Sequence, residues 1–231
     1  MGGRSSSVFD VSMKNGNRRD YHLQAGISPI AGRLAVEGPI IRDRLSFALA
    51  GRSTYSNWLL RLIDDPVLNQ SSASFYDLSG KVSYLSKKSG ELSLAFYQSG
   101  DEFKLASDTT FSYLNQTLSL NYKHLISKKW SVNTGLNHAF YDYSVSSPEN
   151  GLDGYRLAYN ISTQGAYAAL HHYPDGATEM SLGAETRYYR VNPGSIRPFG
   201  PTSIRVPETL QEEYAFENAL HGEVQRSLGQ R

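Results

Sequence analysis

Large apolar side chains recur at every second position through most of this chain. They fall at Leu92, Leu94 and Phe96, and at Met180, Leu182 and Ala184 against Ser181, Gly183 and Glu185. The same alternation carries Leu45, Phe47 and Leu49, then Tyr76, Leu78, Val82 and Tyr84, then Leu114, Leu118, Leu120 and Tyr122. It continues through Val132, Leu136 and Phe140, and through Tyr155, Leu157, Tyr159 and Ile161. A period of two means β-strands with one apolar and one polar face, because successive side chains point to opposite sides of a strand. No comparably long stretch holds the i, i+3, i+4 spacing of an amphipathic helix. The pattern predicts strands over 20–38, 44–60, 75–86, 91–104, 109–126, 130–146, 153–173 and 178–192, with a ninth opening near 209.

The connections alternate as well. Short polar turns are expected at 41–44, 86–90, 127–129 and 173–176, and longer connections near 61–74, 100–108, 146–153 and 192–208. Tight turns at one end and long loops at the other describe an up-and-down antiparallel sheet. Most of the predicted strands exceed the roughly 9–11 residues that a tilted strand needs to cross a bilayer, and soluble strands are usually only about 5–6 residues long.

A half-buried soluble sheet also alternates, so the polar face decides between the readings. Here it is rich in Gly, Ser, Asn, Thr, Ala and Gln with scattered charges, which suits a wet lumen better than an outer surface in water. Aromatic residues gather near the strand ends: Tyr55 and Trp58, Phe75 and Tyr76, Tyr84, Tyr122 and Trp130, and Tyr188. Amphipathic rings at both ends of an apolar band form the girdles of an outer-membrane barrel. The expected fold is therefore all-β, an antiparallel up-and-down transmembrane β-barrel. The competing expectation is a soluble β-sandwich or barrel with its apolar face inside.

Composition narrows the function. The 23 Lys+Arg and 22 Asp+Glu leave a net charge of +1, and no basic field points to nucleic acid. With no cysteine, a disulfide scaffold and a thiolate metal site are excluded. No run of about 18–20 apolar residues marks a membrane helix. The first residues, Met1 to Ser7, lack the basic-then-apolar pattern of a secretory signal.

The stretch Gly2-Gly3-Arg4-Ser5-Ser6-Ser7-Val8-Phe9-Asp10-Val11, followed by Lys14-Asn15-Gly16-Asn17, resembles the end of the plug domain of TonB-dependent outer-membrane receptors. Gly26-Ile27-Ser28 and Glu37-Gly38-Pro39-Ile40 are similar to that family's first barrel strand and first periplasmic turn. Ser46-Phe47, Gly51 to Tyr55, and Phe75-Tyr76-Asp77-Leu78 continue the resemblance through the next two strands. Beyond about residue 85 only the general barrel pattern remains.

The resemblance implies a plugged barrel of about 22 strands, of which this chain would supply eight or nine: residues 1–18 as the end of the plug and 19–231 as the N-terminal portion of the barrel. It further implies a Gram-negative outer-membrane location and energised uptake of a scarce nutrient of the siderophore, vitamin or oligosaccharide class. Its partners would be outer-membrane lipid, the remainder of its own plug and barrel, and the TonB complex, reached through an N-terminal part that this chain lacks. The isolated piece is expected not to transport. Small polar-face residues such as Gly26, Ser28, Ala48, Ser93, Ser119, Gly135 and Gly183 would fill an eight-stranded interior poorly and suit a wall that faces a plug. Two alternatives are a small structural or adhesive outer-membrane barrel and a soluble β-sheet carbohydrate-binding module.

Candidate lumen- or plug-facing residues are Arg4, Arg33, Glu37, Arg44, Arg52, Lys81, Glu185 and Arg187. Their alternative role is to pair with one another as wall charges, and Arg4 as a solvated terminal arginine. His171-His172 invites a metal reading, but adjacent strand residues face opposite ways and no partner stands at ligand spacing. An interfacial aromatic role suits these histidines better. Asp64-Asp65 and Asp101-Glu102 are expected as solvated loop charges, with cation binding as the alternative. No arrangement of residues points to catalysis, and no cofactor is implied.

Overall fold

The computed structural model describes residues 12–88, 90–105, 109–147 and 151–227, without the side chains of Pro66 and Leu105. The strands are β1 (His22–Ile27), β2 (Ala31–Ile41), β3 (Leu45–Thr54), β4 (Ser72–Leu85), β5 (Gly90–Leu105), β6 (Thr109–Ser127) and β7 (Trp130–Ser146). They continue as β8 (Tyr155–His172), β9 (Thr178–Pro198), β10 (Glu208–Thr209) and β11 (Glu213–Arg226). Two short helices, α1 (Asn57–Leu60) and α2 (Pro66–Asn69), lie in the β3–β4 loop. From β1 to β9 each strand pairs antiparallel with the one after it in one eleven-stranded sheet, and β10 and β11 both pair with β9. The sheet is not closed, since β1 and β11 are not paired with each other.

The sheet has no second layer, and among the described residues no apolar side chain is fully buried. Leu94, Leu118 and Leu182 are 46%, 48% and 66% exposed. On the other face, Ser93 of β5 and Ser83 of the adjoining β4 are buried, as is Gly183 beside Leu182. Small residues hidden on one face and leucines open on the other mean that the sheet curls toward its serine-lined face. The apolar stripe is convex. This is the reverse of a soluble sandwich, in which leucines from two sheets interdigitate.

Several expected boundaries move. The segment 20–38 is not one strand but two, reversed at Ser28-Pro29-Ile30. There the Ser28 hydroxyl accepts the Ile30 and Ala31 amides at 3.4 and 3.1 Å, and Ser28 N donates to Ala31 O at 2.9 Å. The stretch 37–40 therefore belongs to β2, and the first tight turn on the opposite end is Ile41–Arg44, where Arg44 N donates to Ile41 O. The segment 44–60 ends as a strand at Thr54 and passes into α1. The next helix is capped by Asp65, whose side chain accepts the Val67 and Leu68 amides, with proline at the first helical position.

In contrast, β9 runs past its expected end at 192 to Pro198. It carries a bulge between its pairs Asn160↔Asn192 and Ala158↔Ser195, at Pro193-Gly194. Proline has no N–H for the ladder, and a bulge is where a strand accommodates one. Opposite that bulge the neighbouring strand breaks too: β10 and β11 hold the same register on β9 but are interrupted at 210–212. The sheet continues into the chain's polar end, where Gln225 and Arg226 pair with Glu179 and Thr178.

Candidate functional site

Cross-strand register assigns strand residues to a face, and the two halves of the sheet differ in polarity. In the half next to the short turns, the convex face carries Val82, Leu94, Leu120 and Leu136, which are directly opposite or next but one across β4–β7. Its concave face carries Ser83, Ser93, Asn121 and Gly135 in the corresponding row. In the half next to the long loops the concave face becomes aromatic and the convex face mixed, with Leu114 and Phe140 among its polar residues. Tyr113, Tyr143 and Tyr159 form one concave row, and Asn115, Tyr141 and Ile161 form the next. The convex positions there are Gln98, Gln116, Asn160, Ser162 and Arg190, with Gln116 donating to Gln98 at 3.0 Å and Gln98 to the Tyr76 hydroxyl at 2.8 Å. Tyr159 and Ile161, expected on the outward apolar stripe, therefore point inward. The outward positions of β8 are set by Ala166, Ala168 and Leu170, which have the other parity.

The concave face of the turn-side half is occupied by residues 13–18. Lys14 pairs with Glu37 at 3.0 Å, and Lys81 donates to the Met13 carbonyl at 2.9 Å. Asn15 accepts from Ser83 at 2.9 Å and donates to Glu91 at 2.5 Å, and Arg18 lies 3.4 Å from the same carboxylate. A glycine is needed in the middle of this segment: a Cβ on Gly16 would stand 1.9 Å from the Phe47 carbonyl oxygen of β3. Glycine serves wherever one backbone must approach another so closely. Further round the wall, Tyr167 lies across Gly135, where an added Cβ would meet its ring at 2.4 Å, and it donates to Asn121 at 2.8 Å.

The expected charges are distributed as follows. Glu37 and Lys81 hold the 13–18 segment. Arg52 pairs with Asp77 through Nε at 2.7 Å and lies 5.0 Å over the Phe75 ring, while Tyr97 donates to the other Asp77 oxygen at 2.9 Å. Glu185 and Arg187, two apart on β9, pair with each other at 2.6 Å. Arg33 stands on the concave face directly across from Arg52, with no ion pair among the described residues. Arg44 is a turn residue rather than a wall residue, because β3 begins only at Leu45. Arg4 lies outside the described residues.

Of the aromatic set, Tyr84, Tyr122 and Trp130 stand on the convex face near the short turns, and Tyr76 and Tyr188 on the same face toward the loops. Tyr122 stacks on His124, Trp130 on His172 at 4.0 Å, and Tyr188 contacts Phe216. Phe75 does not join this row: it shares the face of Asp77 and lies beneath Arg52. Tyr55 and Trp58 are not on a strand either. They fold back on the β1–β2 turn, Tyr55 donating to Ser28 O and the Trp58 ring nitrogen to Pro29 O at 3.2 Å. His171 and His172 point to opposite faces, His171 toward Glu179 at 3.1 Å and His172 toward Trp130. Among the described residues no group of three metal-ligating side chains forms. The concave tyrosine row was missed because its members alternate like the convex leucines. The signal for it was the polar run Asn160, Ser162 and Gln164 on the opposite parity.

No protein-family model matches the chain, and no curated protein matches it. Among solved structures it is similar to the ferric yersiniabactin uptake receptor FyuA from Yersinia pestis, at 12% identity and a TM-score of 0.50 over 84% of this chain. It also aligns with the siderophore receptor PirA from Acinetobacter baumannii at 15% identity, TM-score 0.47, over 74% of this chain. The chain spans about a third of each receptor, 33% and 29% of their lengths. The chain thus has the fold of an open, up-and-down antiparallel sheet similar to part of the FyuA barrel.

Proposed function

We propose that this chain is a stretch of barrel wall from a TonB-dependent outer-membrane receptor. In this reading residues 1–18 are the end of the plug domain, and 19–231 the N-terminal portion of the barrel. The convex stripe faces lipid, the concave face meets the plug and the lumen, and the complete protein takes up a scarce nutrient with energy delivered through TonB. The observation that carries the reading is the single sheet with its leucines on the exposed convex side. Hydrocarbon makes that arrangement favourable, whereas in water a fold gains its stability by removing such area from solvent. The contacts of Glu37, Lys81, Ser83 and Glu91 with residues 13–18 support a wall built to hold the segment that precedes the barrel.

The test uses Trp58→Phe, which leaves Trp130 as the sole tryptophan. Reconstituted with lipids brominated on their acyl chains, Trp130 fluorescence should be quenched strongly and aqueous acrylamide should have little effect. Efficient acrylamide quenching without bromine quenching would refute the membrane assignment.

A further inference from the structure

We propose that the concave face of β5–β8, in the half next to the long loops, binds a neutral saccharide; this rests on the reading above, in which that face looks into a solvent-filled lumen. Tyr113, Tyr143 and Tyr159 stand side by side there, one from each of three adjacent strands, with ring centroids 4.7 and 4.7 Å apart and planes tilted by 46° and 45°. That spacing is the distance between neighbouring strands, so the backbone ladder sets it, and it is comparable with the length of one pyranose ring. A tyrosine offers an apolar face with a hydroxyl at its rim. A sugar ring has the same division, with C–H groups on its faces and hydroxyls around its edge.

The flanking groups narrow the chemistry further. Asp101 is directly across from Tyr113 on this face, exposed, and without an ion pair among the described residues. Ser99 and Asn115 face each other in the adjoining row, Asn115 donating to Ser99 at 3.3 Å. A carboxylate only accepts hydrogen bonds, through two oxygens, and neighbouring ring hydroxyls are donors at a matching separation. Among the described residues no Lys or Arg of β5–β8 stands on this face in the loop-side half. Of the arginines elsewhere on the wall, Arg52 is matched by Asp77 and Arg187 by Glu185, Arg33 stands across from Arg52 on β2, and Arg205 lies 5.4 Å over the Tyr155 ring, four residues along β8 from Tyr159. An anionic ligand lying along the tyrosine row would meet the Asp101 carboxylate across from Tyr113, and like-charge juxtaposition selects against such a partner. A few fixed polar groups beside a largely aromatic surface is the usual make-up of a small-ligand site.

The experiment is titration calorimetry on the 231-residue chain in detergent with three neutral probes, maltohexaose, cellohexaose and xylohexaose. At least one should bind, and Tyr143→Ala and the milder Asp101→Asn should each weaken it ten-fold or more. Tyr188→Ala, on the opposite face, should leave it unchanged. No binding by any of the three, or binding indifferent to both concave variants, overturns the site. So does failure of Tyr143 to react with a water-borne nitrating reagent, which would mean that the chain's own residues cover this face. Quenching of Trp130 by brominated lipid separates the two proposals: quenching without saccharide binding sinks the site alone, and loss of quenching sinks the barrel reading.

Discussion

Leu94→Arg on the convex stripe, set against Ser119→Arg on the concave face, tests the sidedness on which the fold assignment depends. Leu94 is 46% exposed and sits between Val82 of β4 and Leu120 of β6, with Leu92 and Phe96 next along its own face. Ser119 is one strand away on the opposite face, between Ala95 and Asn137. If the stripe lies in hydrocarbon, an arginine near its middle costs about 2–4 kcal/mol. At about 1.4 kcal/mol per factor of ten, that is roughly a 30- to 700-fold loss in the folding equilibrium. If the stripe were a water-exposed surface, the change would stay within about 0.5 kcal/mol. The assay is urea unfolding in lipid–detergent micelles followed by Trp130 fluorescence, where about 2 kcal/mol moves the midpoint by about 1 M for a slope near 2 kcal/mol/M. Equal midpoints for the two variants, or a larger loss for Ser119→Arg, would refute the reasoning.

The segment on the concave wall gives further tests. Gly16→Ala should expel residues 13–18, because the new methyl would stand 1.9 Å from a backbone oxygen that a strand holds in place; tryptic cleavage after Lys14 and Arg18 should speed up at least several-fold. Glu91→Gln keeps an acceptor for Asn15 but removes the charge beside Arg18, so it should accelerate cleavage less than Gly16→Ala does. In the β8–β9 turn, the Ala177 amide and the Thr178 hydroxyl and amide hold the Asp175 carboxyl below its ordinary value. A group whose folded pKa is depressed favours the folded turn above its unfolded value, and that contribution is lost as pH falls through the lowered one. Amide exchange at Ala177 and Thr178 should therefore show a loss of protection on acidification below the usual carboxylate range, and Asp175→Asn should abolish that pH dependence.

The strand pattern, the up-and-down order and the apolar stripe were legible in the sequence because alternation is a local property: a strand's side chains must point up and down in turn wherever the strand goes. Leu94, Leu118 and Leu182 could be assigned to a common face on that ground alone. The β1–β2 reversal was legible too in principle, since the apolar positions change from odd at Leu23, Ala25 and Ile27 to even at Leu34 and Val36. Alternation does not say which face is convex, and it does not show where along a strand the faces exchange roles. Tyr159 and Ile161 alternate just as Leu118 and Leu120 do, yet they point the other way. Their side is decided by the register against β7 and β9, which is fixed over the whole length of the strands. The clamp on residues 13–18 and the tyrosine row across β6–β8 depend on the same thing, residues far apart in the chain brought level by cross-strand hydrogen bonds. Local chemistry determined that this chain makes amphipathic strands; only their pairing and curl decided what each face meets.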